Sequence, residues 1–257
     1  MPENFEGHSN PNLPALHVRE KILAEMSVPG ASDPESLCSL FEVPQNLRGK
    51  TVLDIGSGAS PFIHELERRG AKAVGLDPVY ENSDNIKEYW WRNKGNPNLN
   101  TLEHNKLADK FSELFKQGKL RLVAGLAGSL PFANNSFDFI YSHFGLTHMP
   151  ARDPEVIKNA FQEAYRVLKP GGKILAFPSG IPPTSFYNEE TINAMKSFLE
   201  YIQQSGLEYT LKVPDDFRRH REEAKEAGMQ MLVVTKPKPS FGQWFSRFLR
   251  RSSNKEL

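Results

Sequence analysis

Apolar positions along this chain switch repeatedly between two spacings. Short runs rich in β-branched and aromatic residues at 51–55, 72–76, about 119–124, 137–142 and 173–177 predict buried strands. Stretches with helical spacing separate them. One starts at Ser60-Pro61 and ends at Arg68-Arg69-Gly70, with a capping serine, an early proline, a basic last turn and a closing glycine. A second, at about 101–117, turns Leu107, Phe111, Leu114 and Phe115 inward. A third begins at Asp153-Pro154, carries the stripe Ile157, Ala160, Phe161, Ala164 and Leu168, and gives way at the turn Lys169-Pro170-Gly171-Gly172. A helix at 188–205 stops at Gly206, and two β-rich runs follow at 207–213 and 230–236. Strand and helix in alternation predict an α/β doubly wound sheet, mostly parallel, with crossover helices.

Upstream, Val18, Ile22, Leu23 and Met26 recur at helical spacing. Asp33-Pro34 then opens a second helix with Leu37, Leu40 and Phe41 on one face. Two cap helices are expected within 15–45, either over the sheet edge or pocket or as additional core. The organisation that follows is a tail with cap helices (1–47), a core (48–236) with an excursion at 78–118, and a basic tail (237–257).

The chemistry concentrates where the first strand ends. Val52-Leu53-Asp54-Ile55 runs into Gly56-Ser57-Gly58, and a second apolar run closes on Asp77. Glycines let the chain turn sharply and let a ligand approach the main chain. A carboxylate closing the neighbouring strand is placed to take the two hydroxyls of a ribose. A pyrophosphate loop has a third glycine and no nearby acid, whereas here Pro61 takes that place and Asp54 lies two residues before Gly56. Asp54 would repel a pyrophosphate and attract an ammonium. The loop therefore favours a nucleoside carrying an amino acid over NAD.

Four blocks in order, TVLDIGSGAS at 51–60, AVGLD at 73–77, LPFANNSFDFIYS at 130–142 and FQEAYRVLKPGGKILAF at 161–177, resemble the class I S-adenosylmethionine-dependent methyltransferases, specifically the type 11 methyltransferase domain group. The resemblance covers about half the chain. It implies a Rossmann-like sheet of seven strands with the last antiparallel, S-adenosyl-L-methionine as cofactor, and in-line methyl transfer from its sulfonium to a small-molecule or lipid-like acceptor through an oxygen or nitrogen nucleophile. It further implies a cofactor site of Asp54, Ile55, Gly56, Ser57, Gly58, Asp77, Pro78, Leu126, Ala127, Ser142 and His143. Asp54 would serve the methionine ammonium and Asp77 the ribose. Where the family often has Gly-Asp-Ala after the third strand, this chain has Gly125-Leu126-Ala127, so the acid that meets the adenine amino group is replaced by a leucine.

His143 and His148 are the candidate bases, with a purely structural role open for each. Tyr89-Trp90-Trp91 either lines an acceptor pocket or anchors the excursion. No acid–histidine cluster has metal spacing, so no metal is expected. Three other readings remain: a non-catalytic binding module with this fold, an RNA or protein methyltransferase, and an NAD-dependent oxidoreductase. Intact Asp54, Gly56, Gly58 and Asp77 weigh against the first, and Asp54 with Pro61 against the last.

Composition adds little until the end of the chain. With 39% hydrophobic and 25% charged residues the chain is ordinary for a globular protein, and a net charge of +1 gives no nucleic-acid footprint. No apolar run reaches membrane-spanning length, no leader pattern opens the chain and Cys38 is its one cysteine, so a cytoplasmic location is expected. The tail departs from this. Phe241, Trp244, Phe245, Phe248 and Leu249 recur at helical spacing with Arg247, Arg250 and Arg251 among them. Residues 240–251 are thus expected to dock on the protein or a partner, or to touch an anionic membrane from the periphery. The sequence leaves oligomeric state and acceptor open.

Overall fold

The computed structural model describes residues 34–58, 60–81, 101–147, 154–179, 189–205, 207–215, 221–226 and 229–238. The first cap helix, Tyr89-Trp90-Trp91, His148 and the 240–251 stripe lie outside the described residues. The elements are α1 (Pro34–Leu40), β1 (Thr51–Ile55), α2 (Phe62–Arg68), β2 (Lys72–Leu76), a 3₁₀ turn (Pro78–Glu81), α3 (Thr101–Lys116), β3 (Leu122–Val123), β4 (Phe137–His143), α4 (Pro154–Val167), β5 (Leu168–Phe177), α5 (Glu189–Gln204), β6 (Glu208–Lys212), α6 (Arg221–Glu226) and β7 (Met231–Thr235).

The seven strands form one sheet in the order β3-β2-β1-β4-β5-β7-β6. Neighbours are parallel except β7, which runs antiparallel to both β5 and β6. Strand order reverses between β1 and β4, the place where open α/β sheets leave a crevice at the carboxyl ends. Alternation along β1 assigns its side chains to two layers. Val52 packs with Phe41, Phe62, Ile63, Leu66 and Tyr141 on one face, and Leu53 and Ile55 join Ile157, Phe161, Phe198 and Ile202 on the other. Asp54 follows the Val52 side and ends up only 4% exposed.

The second cap helix is core. Leu37, Cys38, Leu40 and Phe41 are all buried, and Arg69 fastens the following segment by donating to the Val43 carbonyl at 2.9 Å while its own carbonyl accepts from the Leu47 amide at 2.8 Å.

The third strand shortens to Leu122–Val123, and three other features depart from expectation. The proline start at Ser60-Pro61 is displaced by one position. Pro61 itself is the cap residue, and the Ser60 hydroxyl accepts only a 3.3 Å bond from the Phe62 amide. Phe115 is 41% exposed, because Phe111 and Leu114 fill the inner face of α3 and Phe115 stacks on the Phe111 ring at its margin. Lys169-Pro170-Gly171-Gly172 is a bulge inside β5, not a turn before it. Phe137 pairs with Leu168 and Phe139 with Lys173, so extra residues bow out of the ladder. The bulge brings the Lys169 ammonium 2.7 Å from Asp138, which also accepts from the Thr51 amide and hydroxyl at 2.9 Å each. Burial pushes the Asp138 pKa up, but these donors more than offset it and leave it at about 2.

Candidate functional site

β1 delivers the Asp54 carboxylate to a buried position, where no described residue hydrogen-bonds it. Burial, and next the negative charge of Asp77, raise the Asp54 pKa from 3.8 to about 8. A buried acid in this state is costly unless a cation joins it. Ile55 follows with its side chain in the core (1% exposed) and its carbonyl accepting from the Ser142 hydroxyl at 2.9 Å.

The chain then turns through Gly56 (φ +74°) and Gly58 (φ +50°), a left-handed path that side chains resist. The Gly56 and Ser57 amides donate to the Leu76 carbonyl at the end of β2. Asp77 answers from that strand end. One of its oxygens accepts from the Gly58 amide at 3.0 Å and the other from the Val79 amide at 2.9 Å. Each carboxylate oxygen retains a further lone-pair direction, and the half-buried side chain keeps an exposed edge for more donors. Pro78 is exposed and opens the 3₁₀ turn.

Ser142, expected among the cofactor contacts, turns its hydroxyl inward. It is fully buried, donates to the Ile55 carbonyl and accepts from the Leu146 amide at 2.7 Å, so both capacities of its hydroxyl are committed. Its part is to hold the loops after β1 and β4 together. Gly145 completes that junction, since a Cβ there would lie 2.3 Å from the Ile55 carbonyl oxygen.

His143 closes β4 among aromatic rings. Phe177 is parallel to it at 6.0 Å, and Phe144 and Phe41 meet it edge-on at 4.6 and 6.3 Å. Phe144 has φ +54°, an uncommon conformation for a bulky residue, and its amide donates to the Phe177 carbonyl at 2.8 Å. Beyond β3, Leu126 is 66% exposed and Ala127 is buried. The loop that carries them is clamped from α4. Glu163 accepts from the Leu130 amide at 2.8 Å, and Arg166 donates to the carbonyls of Leu130 and Phe132 at 3.0 and 2.8 Å.

A family model described as "Methyltransferase domain" matches residues 53–176, from the middle of β1 almost to the end of β5. Residues 53–176 are thus a methyltransferase domain. Among similar methyltransferases is the demethylmenaquinone methyltransferase of Oceanobacillus iheyensis, 29% identical over 144 residues, which are 55% of this chain and 49% of that protein. The ubiquinone/menaquinone biosynthesis C-methyltransferase of Klebsiella pneumoniae is 25% identical, covering 71% of this chain and 64% of its own. The sterol 24-C-methyltransferase of Pneumocystis carinii is 34% identical, covering 48% and 26%. The chain thus spans about half the length of the first and less than two thirds of the other two.

The family's cofactor fits the residues present. An ammonium would relieve the buried Asp54 carboxylate. Asp77 stands one strand over with acceptor capacity left, the glycine turn gives close access to the main chain, and Leu126 offers bare apolar surface for a flat ring.

The sequence reading missed four contributors. Tyr80, in the 3₁₀ turn, donates its hydroxyl to the Gly58 carbonyl and lies 2.8 Å from the Ser57 hydroxyl. Gly145, Glu163 and Arg166 are the others. Only Gly145, three residues beyond a predicted strand end, carried a signal that a turn reading uses.

Proposed function

We propose that this methyltransferase binds S-adenosylmethionine in the β1–β2–β4 crevice and methylates an apolar, quinone- or sterol-like small molecule. The buried Asp54 carboxylate beside the glycine turn and Asp77 is the observation that carries the reading.

When bound, the cofactor supplies a methyl group already activated on a sulfonium centre. The residues of this chain hold and shield it. Asp54 would take the ammonium and Asp77 the ribose hydroxyls, and Leu126 and Ala127 would receive the adenine. Without an acid at position 126, ring recognition rests on packing more than on a hydrogen bond to the exocyclic amine. Phe41, Phe144 and Phe177 keep water from the end of β4, where positioning and water exclusion supply most of the acceleration that methyl transfer needs. His143, in their midst, is the group available to receive a proton from the acceptor. The relatives named above are carbon methyltransferases by name in two cases of three, which widens the nucleophile from oxygen or nitrogen to include an acidified carbon.

The aromatic surroundings of His143 and the exposed Leu126 favour an apolar acceptor over a charged polymer. The test supplies methyl-labelled S-adenosylmethionine with lipid and quinone extracts, RNA and protein in separate reactions. Label is expected in the organic phase. Label confined to RNA or protein, or saturable NAD binding without binding of the sulfonium cofactor, overturns the proposal.

An apolar acceptor resides in or near a bilayer. Among the described residues no helix is long and apolar enough to cross one. The aromatic and arginine stripe at 240–251 instead has the pattern of a surface-seeking segment, with Lys236-Pro237-Lys238-Pro239 as an extended lead-in. Full-length protein is expected to sediment with anionic vesicles at low salt and release at high salt, and a chain ending at Pro239 to stay in solution. Equal sedimentation of both forms removes the tail from this role.

A further inference from the structure

We propose that Tyr80 is a positioning residue that preforms the cofactor loop and ties it to α3. The proposal rests on the cofactor reading above.

The glycine turn is conformationally expensive. Gly56 and Gly58 both have positive φ, and a free loop of this kind must be ordered at the moment a ligand arrives. Its amides are fixed by the ends of β2, through the Leu76 carbonyl and the Asp77 carboxylate. Its carbonyl side is fixed by Tyr80. The phenol donates to the Gly58 carbonyl, and the Ser57 hydroxyl, 2.8 Å away, donates to the phenol oxygen. Gly58 is thus held on both sides, its carbonyl by Tyr80 and its N–H by Asp77, so one hydroxyl constrains the residue that also anchors the ribose acid.

The strand beneath is shaped for this contact. A Cβ on Gly75 would lie 2.7 Å from the Ser57 hydroxyl oxygen, so β2 carries a glycine where the Ser57 side chain passes. The ring of Tyr80 has a second attachment. With Val79 and Leu122 it packs against the cluster of Phe111, Leu114 and Leu120, which belongs to α3 and the segment that follows it. Tyr80 therefore bridges two parts of the molecule. Its ring rests on the excursion between β2 and β3, and its hydroxyl rests on the cofactor loop.

Tyr80→Phe keeps the ring and removes the latch. Its affinity for S-adenosylhomocysteine, measured by calorimetry on the full chain, is expected to fall about tenfold, and its ligand-free melting temperature to remain within a few degrees of the parent. Ser57→Ala is the second variant. It is expected to lose several-fold on its own and little more in the Tyr80→Phe background, because both act through one contact. Unchanged affinity in both single variants, or additive losses in the double, overturns the latch. A lowered melting temperature with unchanged affinity assigns Tyr80 to packing alone. Failure of the parent chain to bind the ligand at all refutes the cofactor reading instead, and the two failures are thereby told apart.

Discussion

Asp54→Asn is expected to weaken S-adenosylmethionine binding about a hundredfold and to erase the pH dependence of that binding. Breaking a buried ion pair from one side typically costs about 3–5 kcal/mol, and asparagine returns part of it through a neutral hydrogen bond. The pH effect follows from the ligand-free acid. Its pKa lies at about 8, because the carboxylate is buried and next because Asp77 repels it. Near neutrality the group is therefore mostly protonated, whereas an ammonium partner requires the charged form. Binding must release a proton. Affinity is expected to rise about tenfold per pH unit up to about 8 and then level off. Calorimetry in two buffers of different ionisation enthalpy reads the released proton directly. No proton exchange in the parent, or parent-like affinity in the variant, would remove Asp54 from the site.

The same acid affects folding with a definite sign. A folded pKa raised above the unfolded value contributes stability that is complete below about 4 and is lost as pH rises through about 8. The ligand-free parent is expected to weaken across that window and Asp54→Asn to hold steady, so the variant that binds worst is the more stable fold at pH above about 8. Asp138 gives the opposite sign at the other end of the sheet. Its contribution is present above its unfolded value near 4 and disappears as pH falls toward 2.

The sequence made the cofactor loop legible because its signals are local. An apolar run, an acid and two glycines occupy consecutive positions, and Asp77 closes a second run of the same kind. Seven strands with the last antiparallel came through resemblance, and their order only from the structure, since periodicity does not say which strands neighbour one another. Features that depend on a partner distant in sequence stayed hidden. The bulge at 169–172 read as a turn because Pro-Gly-Gly punctuates chains in general, yet Lys169 reaches Asp138 and the residues after it re-enter the ladder with β4 and β7. The third strand shrank to Leu122–Val123, since only two of its residues find partners on β2. Tyr80 bore no motif. Its role exists only because the 3₁₀ turn folds its hydroxyl onto a loop twenty-odd residues earlier. Ser142 was located correctly at a strand end, but its hydroxyl serves the protein's own backbone.

Gly145→Ala is expected to destabilise the fold by about 3 kcal/mol and to cost cofactor binding as well, although glycine to alanine is a small change. The added carbon would lie 2.3 Å from the Ile55 carbonyl oxygen, 2.5 Å from the Ser142 hydroxyl oxygen and 3.1 Å from the Ile55 carbonyl carbon. A side chain could rotate away, but a main-chain carbonyl can move only with its strand. Ile55 is held in β1 by its pairing with Leu76 of β2 and by Ser142. The contact is reciprocal, since a Cβ on Gly56 would come 2.8 Å from the Gly145 Cα. Relief therefore requires the loops after β1 and β4 to part, which carries Gly56 away from the position that the cofactor needs. Gly49→Ala supplies the contrast. Gly49 has φ +77° but nothing within 4 Å of its added carbon, so the cost is conformational strain of about 1–2 kcal/mol with binding untouched. Denaturant unfolding and calorimetric titration of the two variants separate the effects. Parent-like binding by folded Gly145→Ala would mean that the loops yield without disturbing the site, and the junction would then lose its role in shaping it.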